Sequence, residues 1–186
     1  MGMMLSLGTA GAPQRILVVD DDVVIHRVLE KILSVGMGRA SSEAELPAAS
    51  GAPASAPARP YALTFASSGQ EAVTLAERAK RERTPFGVAL VDMRMPGWDG
   101  IETVTRLLRI EPQLQVAICS AYMDYSWQEV LDRLQRPGLR QLRKPWTSGQ
   151  VLATVQELCQ RAQGGGTAGF SAYPLSRASA KPTPGR

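Results

Sequence analysis

Residues 88–100 read VALVDMRMPGWDG, and residues 16–22 read ILVVDDD. Each is a short aliphatic run that ends abruptly on acid, at Asp92 in the first and at Asp20, Asp21 and Asp22 in the second. Apolar runs of four or five residues without polar alternation predict strands covered on both faces, the habit of parallel sheets. Two further segments fit. Residues 116–120 read VAICS and end on Ser120, while Leu142 is followed by Arg143, Lys144 and Pro145. In a parallel sheet the carboxyl ends of the strands share one edge, so carboxylates, a hydroxyl and an ammonium would converge there. Crowded carboxylates repel unless a cation holds them, and an all-oxygen cluster suits Mg²⁺, which leaves room for substrate phosphate. The pattern points to movement of a phosphoryl group.

Each piece alone has a plainer reading. Paired acids after a strand serve as helix N-caps and favour the helix dipole. Asp92 could be a turn residue, Ser120 a buried hydroxyl bonded to backbone, and Lys144 a solvated charge at a strand end. Taken in order, however, ILVVDDD, LVDMRMPGWDG, ICSAY and LRKPW resemble the receiver domain of two-component response regulators, from about Arg15 to Ala162 with one interruption. The resemblance implies a flavodoxin-like α/β fold: a doubly wound, five-stranded parallel sheet of order 2-1-3-4-5 with helices on both faces. In that order the crevice at the carboxyl ends of strands one and three is the expected ligand site.

The resemblance also assigns roles. Asp92 becomes the phosphoacceptor, Lys144 the cation paired with a phosphoryl oxygen, and Ser120 the hydroxyl that bonds the new phosphate. Mg²⁺ would be held by Asp21 and Asp92 directly, by the backbone carbonyl of Arg94, and by Asp20 through water; Asp22 remains a helix cap. Pro145 would follow a cis bond. The implied donor is a sensor histidine kinase or a phosphotransfer protein, and the implied output is a phosphorylation switch acting on a partner protein rather than turnover of a free substrate. Two departures stand out. Three residues before Lys144, where the family often has an aromatic residue, the chain has Gln141, and the positions two after Asp92 and Ser120 are the bulky Arg94 and Tyr122, which argues for slow loss of phosphate. Two alternatives remain. A phosphohydrolase of the haloacid-dehalogenase type also uses a strand-end Asp and wants a second Asp two residues on, a spacing that Asp20 and Asp22 satisfy; a degenerate receiver would serve as a scaffold only.

Strand and helix signals alternate five times along the chain. Helix one, over residues 23–35, is predicted to bury Ile25, Val28, Leu29 and Ile32, and helix four Trp127, Val130, Leu131 and Leu134. Ser68 with Glu71, Ser126 with Glu129, and Thr147 with Gln150 have capping-box spacing, and Asp22 and Asp99 are N-cap candidates. Pro85 and Pro112 fall in connections, where a missing amide is harmless. His26, the sole histidine, is read as a surface residue. Residues 39–60 are mostly Ala, Pro, Ser and Gly, too poor in large apolar side chains to offset their ordering entropy, and are expected to form a disordered insertion. A tail over residues 163–186 has the same character and, with a leader over residues 1–13, is expected to be disordered, which leaves residues 14–162 as the folded domain. No output domain is predicted behind it.

The net charge of +4 is mostly in the tail, where Arg177, Lys181 and Arg186 stand without an acid. The domain itself is near neutral, which argues against nucleic acid as a partner. Cys119 and Cys159 make neither a disulfide framework nor a metal-spaced pair, so a reduced cytoplasm is the expected setting. No run of about 18 apolar residues marks a membrane span. The leader lacks the basic start of a signal peptide, and the myristoylation pattern it could match, Gly2 with Ser6, is permissive.

Overall fold

The computed structural model describes residues 13–36, 61–121 and 126–164. Ten elements alternate: β1 Gln14–Val19, α1 Val23–Gly36, β2 Tyr61–Ala66, α2 Gly69–Arg81, β3 Val88–Asp92, α3 Gly100–Ile110, β4 Gln115–Ser120, α4 Trp127–Leu134, β5 Arg140–Arg143 and α5 Ser148–Gly164. The strands form one parallel sheet in the order β2-β1-β3-β4-β5. This is the doubly wound, flavodoxin-like order.

The alternation within each strand explains why the runs are apolar throughout. Leu17 and Val19 on β1, Ala89 and Val91 on β3, and Val116 and Ile118 on β4 join one core with residues of α2, α3 and α4. Their neighbours Ile16, Val18, Val88, Leu90, Ala117 and Cys119 point the other way, into a core shared with α1 and α5. Side chains on both faces leave water, and each large aliphatic one contributes roughly 1.5–3 kcal/mol by burial. The edges are weaker. β2 is only partly buried along most of its length, and β5 has four residues, RQLR. Arg140 ties β5 to α5 through Glu157, with Nε and Nη2 on opposite carboxylate oxygens at 2.9 and 2.5 Å.

The caps follow the local sequence. Ser126 and Glu129 form a reciprocal capping box at α4, Thr147 and Gln150 bond reciprocally before α5, and Asp99 Oδ1 accepts from Glu102 N–H at 2.8 Å to start α3. Ser68 Oγ caps α2 by accepting from Glu71 N–H, while the Glu71 carboxylate reaches Ser67 instead of the cap residue.

Helix α1 departs from the expected face. His26, Leu29 and Leu33 are the buried residues, Ile25 and Ile32 pack half-buried beside them, and Val28 is 40% exposed along with Val23 and Val24. His26 is thus not a surface residue: its ring lies 5.0 Å from that of Phe65 on β2, centroid to centroid, and its buried Nε2 has no hydrogen-bond partner among the described residues. The helix carries apolar residues at 23, 24, 25, 28, 29, 32, 33 and 35, so a 3.6-residue period admits more than one phase. Contact with β2 selects the phase that includes His26. The expected leader, insertion and most of the tail lie outside the described residues; α5 itself runs to Gly164.

Gly100, the first residue of α3, packs on the backbone where β3 ends: a Cβ there would come 2.6 Å from Asp92 O and 2.9 Å from Met93 Cα. Neither atom can move without shifting the strand end. Gly100→Ala is expected to destabilise the fold by about 1–3 kcal/mol, the usual cost of overpacking. Urea denaturation of the two proteins measures this, and equal midpoints would show that α3 slides away from β3 at little cost.

Candidate functional site

The sheet brings four side chains to its carboxyl edge. Asp20 follows β1, and its backbone N–H donates to Ala66 O at 3.1 Å. Asp92 is the last residue of β3 and Ser120 the last of β4. Lys144 follows β5, and its backbone N–H donates to Ser120 O at 2.8 Å, continuing the β4–β5 pairing past the strand. The bond from Lys144 to Pro145 is cis.

Lys144 Nζ stands between two acids. It donates to Asp20 Oδ2 at 2.8 Å and to Asp92 Oδ1. The other oxygens are also occupied: Asp20 Oδ1 accepts from Asp22 N–H at 3.0 Å, and Asp92 Oδ2 from Arg94 N–H at 2.7 Å. Asp20, Asp92 and Ser120 are all buried. The Lys144 ammonium also lies 5.4 Å from the Trp146 ring centroid, within cation–π range. Trp146 closes the LRKPW stretch, but nothing in the sequence alone marks it as a neighbour of the half-buried Lys144 ammonium.

Burial raises the Asp92 pKa, the Lys144 hydrogen bond and charge oppose that, and the neighbouring Asp20 charge adds to it; the net direction is upward. For Lys144 burial works against the charge, but the bonds and charges of Asp20 and Asp92 prevail and hold the ammonium above its ordinary range. Cys119, pushed up to about 12 chiefly by burial, remains a thiol and takes no part.

Two buried carboxylates share one ammonium, so the cluster keeps an excess of negative charge. A hard divalent cation would offset it, and the oxygen donors of Asp20, Asp21, Asp92 and the Arg94 backbone suit Mg²⁺. The chemistry of the set fits. Its assembly is partial: Asp21 is exposed, and among the described residues no three Asp, Glu, His or Cys side chains are gathered into a metal-holding group. Asp22 serves as a cap, its Oδ1 accepting from Val24 N–H at 2.8 Å. Arg94 is exposed. Tyr122 lies outside the described residues.

Gln141 also belongs to the site. Its Nε2 donates to Ser120 Oγ at 3.2 Å, a contact that the residue's place on a short strand did not announce.

Comparison with known proteins bears on the family and the fold. Residues 57–156 match the family model described as the response regulator receiver domain. That match covers β2 to α5 and omits β1, whose pairing with both β2 and β3 nonetheless brings Asp20 to the same edge. Over 92 residues the chain is 34% identical to the positive alginate biosynthesis regulatory protein of Pseudomonas aeruginosa, covering 50% of this chain and 34% of that protein. The chain thus spans about a third of that relative's length. Among solved structures, the REC domain of AraT, a response regulator from Geobacillus stearothermophilus, superposes with a TM-score of 0.62 at 18% identity, covering 84% of this chain and 100% of that one. A CheY-like response regulator receiver domain protein from Methanospirillum hungatei gives 0.56 at 21%, covering 82% and 98%. A structure described as an adenylate cyclase from Rhodopirellula baltica gives 0.61 at 23%, covering 82% and 91%. At these identities the structures speak for the fold alone.

The raised Asp92 pKa has a consequence for stability. An unfolded Asp titrates near 3.9, so the folded chain holds this proton to higher pH than the unfolded chain does. Stability therefore falls as pH rises through that window, and the deficit persists above it. Asp92→Asn, which leaves Lys144 its Asp20 partner, is expected to be more stable than wild type at pH 7 by about 0.5–2 kcal/mol. The gap should close as pH falls through the raised pKa towards about 3.9. Denaturant titrations at both ends of this range measure it; a less stable Asn variant at pH 7 would mean that the Lys144 attraction outweighs burial.

Proposed function

Because the chain belongs to the response regulator receiver domain family, we propose that it works as a phosphorylation switch whose acceptor is the Asp92 carboxylate. The observation that carries this reading is the Lys144 ammonium bonded to both Asp20 and Asp92 at the sheet edge. A carboxylate needs no deprotonation to act as a nucleophile at neutral pH. An Asp92 oxygen attacks phosphorus in line, the bond from phosphorus to the donor's imidazole nitrogen breaks, and that nitrogen keeps the electron pair. Arg94 N–H, already on Asp92 Oδ2, orients the carboxylate. Lys144 pairs its ammonium with a phosphoryl oxygen, and Ser120 donates a hydroxyl hydrogen bond to another.

Charge explains the need for a metal. Turning the Asp92 carboxylate into an acyl phosphate adds further negative charge and acceptor oxygens to a cluster in which two acids already share one ammonium. Asp20, Asp21, Asp92 and the Arg94 carbonyl would hold Mg²⁺, which supplies the missing positive charge. The donor is a sensor histidine kinase or a phosphotransfer protein, and the recipient of the signal is a protein partner.

The switch passes outward through Ser120 and Lys144, which are joined by a backbone bond and lead into α4 and α5. Moving a two-state element from 1:99 to 99:1 requires about 5.5 kcal/mol. One hydroxyl and one lysine contact, at roughly 1.5–3 kcal/mol for each charge-assisted bond, fall short or barely reach it. The shift is therefore partial until a partner binds the α4–β5–α5 face.

Intact-mass analysis after incubation with a small acyl phosphate tests the reading. Wild type is expected to gain one phosphoryl group when Mg²⁺ is present and none after chelation, while Asp92→Asn gains none. Undiminished labelling of Asp92→Asn would sink the assignment, and steady hydrolysis of a free phosphomonoester would favour a phosphohydrolase.

A further inference from the structure

Gln141 and Ser120 meet for a reason of register. Ile118 pairs with Gln141 and Ser120 with Arg143 across the β4–β5 ladder. Register partners share a sheet face, as do residues two apart on one strand. Gln141 is therefore diagonal to Ser120 on the same face, a separation that suits a long side chain. The bond that results has a direction: Gln141 Nε2 donates and Ser120 Oγ accepts, at 3.2 Å. A serine hydroxyl has two acceptor lone pairs and one proton. With Gln141 N–H on a lone pair, the single Ser120 proton is left for another acceptor, and Ser120 is buried beside Cys119, the register partner of Asp92.

We propose that Gln141 is a positioning residue for the switch: its side-chain N–H pins Ser120 Oγ as an acceptor and so reserves the Ser120 hydroxyl proton for the phosphoryl oxygen that arrives on Asp92. This rests on the reading of Asp92 as phosphoacceptor and adds to it a polarised chain, from amide to hydroxyl to phosphoryl, in which each bond strengthens the next. The residue links the chemistry to strand β5 through a hydrogen bond.

Two measurements test this. In the first, side-chain ¹⁵N–¹H resonances of Gln141, identified by their loss in Gln141→Leu, are followed with no phosphodonor present. They are expected to shift in Ser120→Ala; unmoved resonances overturn the proposal. In the second, initial phosphorylation rates with a small acyl phosphate and Mg²⁺ are compared in a double-mutant cycle. Gln141→Leu is expected to slow wild type by about threefold or more, and to change the rate of Ser120→Ala by less than about 1.5-fold, because the bond it removes is already gone. A merely structural effect of Gln141 would slow both backgrounds alike, and that result overturns the positioning role, as does a faster Gln141→Leu, which would mean that the amide withholds the hydroxyl. Wild type that takes no phosphoryl group at all overturns the underlying reading of Asp92. That outcome is distinct from phosphorylated wild type equalled by Gln141→Leu, which removes the positioning role alone.

Discussion

The ammonium of Lys144 is the constraint around which the rest is arranged. Two carboxylates, Asp20 and Asp92, are buried at the end of neighbouring strands, where each would repel the other and neither would be well solvated. One cation from a third strand makes the pair tolerable. It does so incompletely, as the upward shift at Asp92 records. A buried ion cluster of this kind is weak as a source of stability, and its effect is to keep a negative excess in place at the carboxyl edge of the sheet, which the proposed metal and phosphoryl group would meet. The apolar strands on both sides supply the stability that the cluster lacks.

Most of the fold could be read from the chain because the strands announce themselves twice, by uninterrupted aliphatic runs and by the polar residue that stops each one. Asp20, Asp92, Ser120 and Lys144 lie at the one edge where the carboxyl ends of a parallel sheet must meet. The helix starts were equally legible, since capping is a local interaction between residues two or three apart. The strand order came from likeness to a family, because the periodicity of five strands is compatible with several orders.

What stayed hidden depended on tertiary phase and register. The buried stripe of α1 cannot be chosen among eight apolar positions without Phe65, which is why His26 falls on the opposite side from the one expected. Asp21 follows Asp20 in sequence yet faces solvent, since consecutive residues leaving a strand diverge. The Gln141–Ser120 bond requires the β4–β5 register, and a strand of the composition RQLR carries no pattern from which a register could be chosen. At the position where an aromatic was the familiar choice, the polar substitute looked like a loss; with the register known, it is a hydrogen-bond donor.

The Lys144–Asp20 bond also bears on how the molecule assembles. It joins residues 124 positions apart, and β1 enters the middle of the sheet from the beginning of the chain, beside a β3 that follows long after it. Contacts of such separation are rewarded only after the intervening chain has lost its freedom, so they slow folding, whereas β3, β4 and β5 pair with near neighbours in sequence. A chain in which only that half has formed has Asp92, Ser120 and Lys144 but no Asp20 beside them. Completion of the carboxylate pair thus depends on the contact of the site that spans the greatest length of chain.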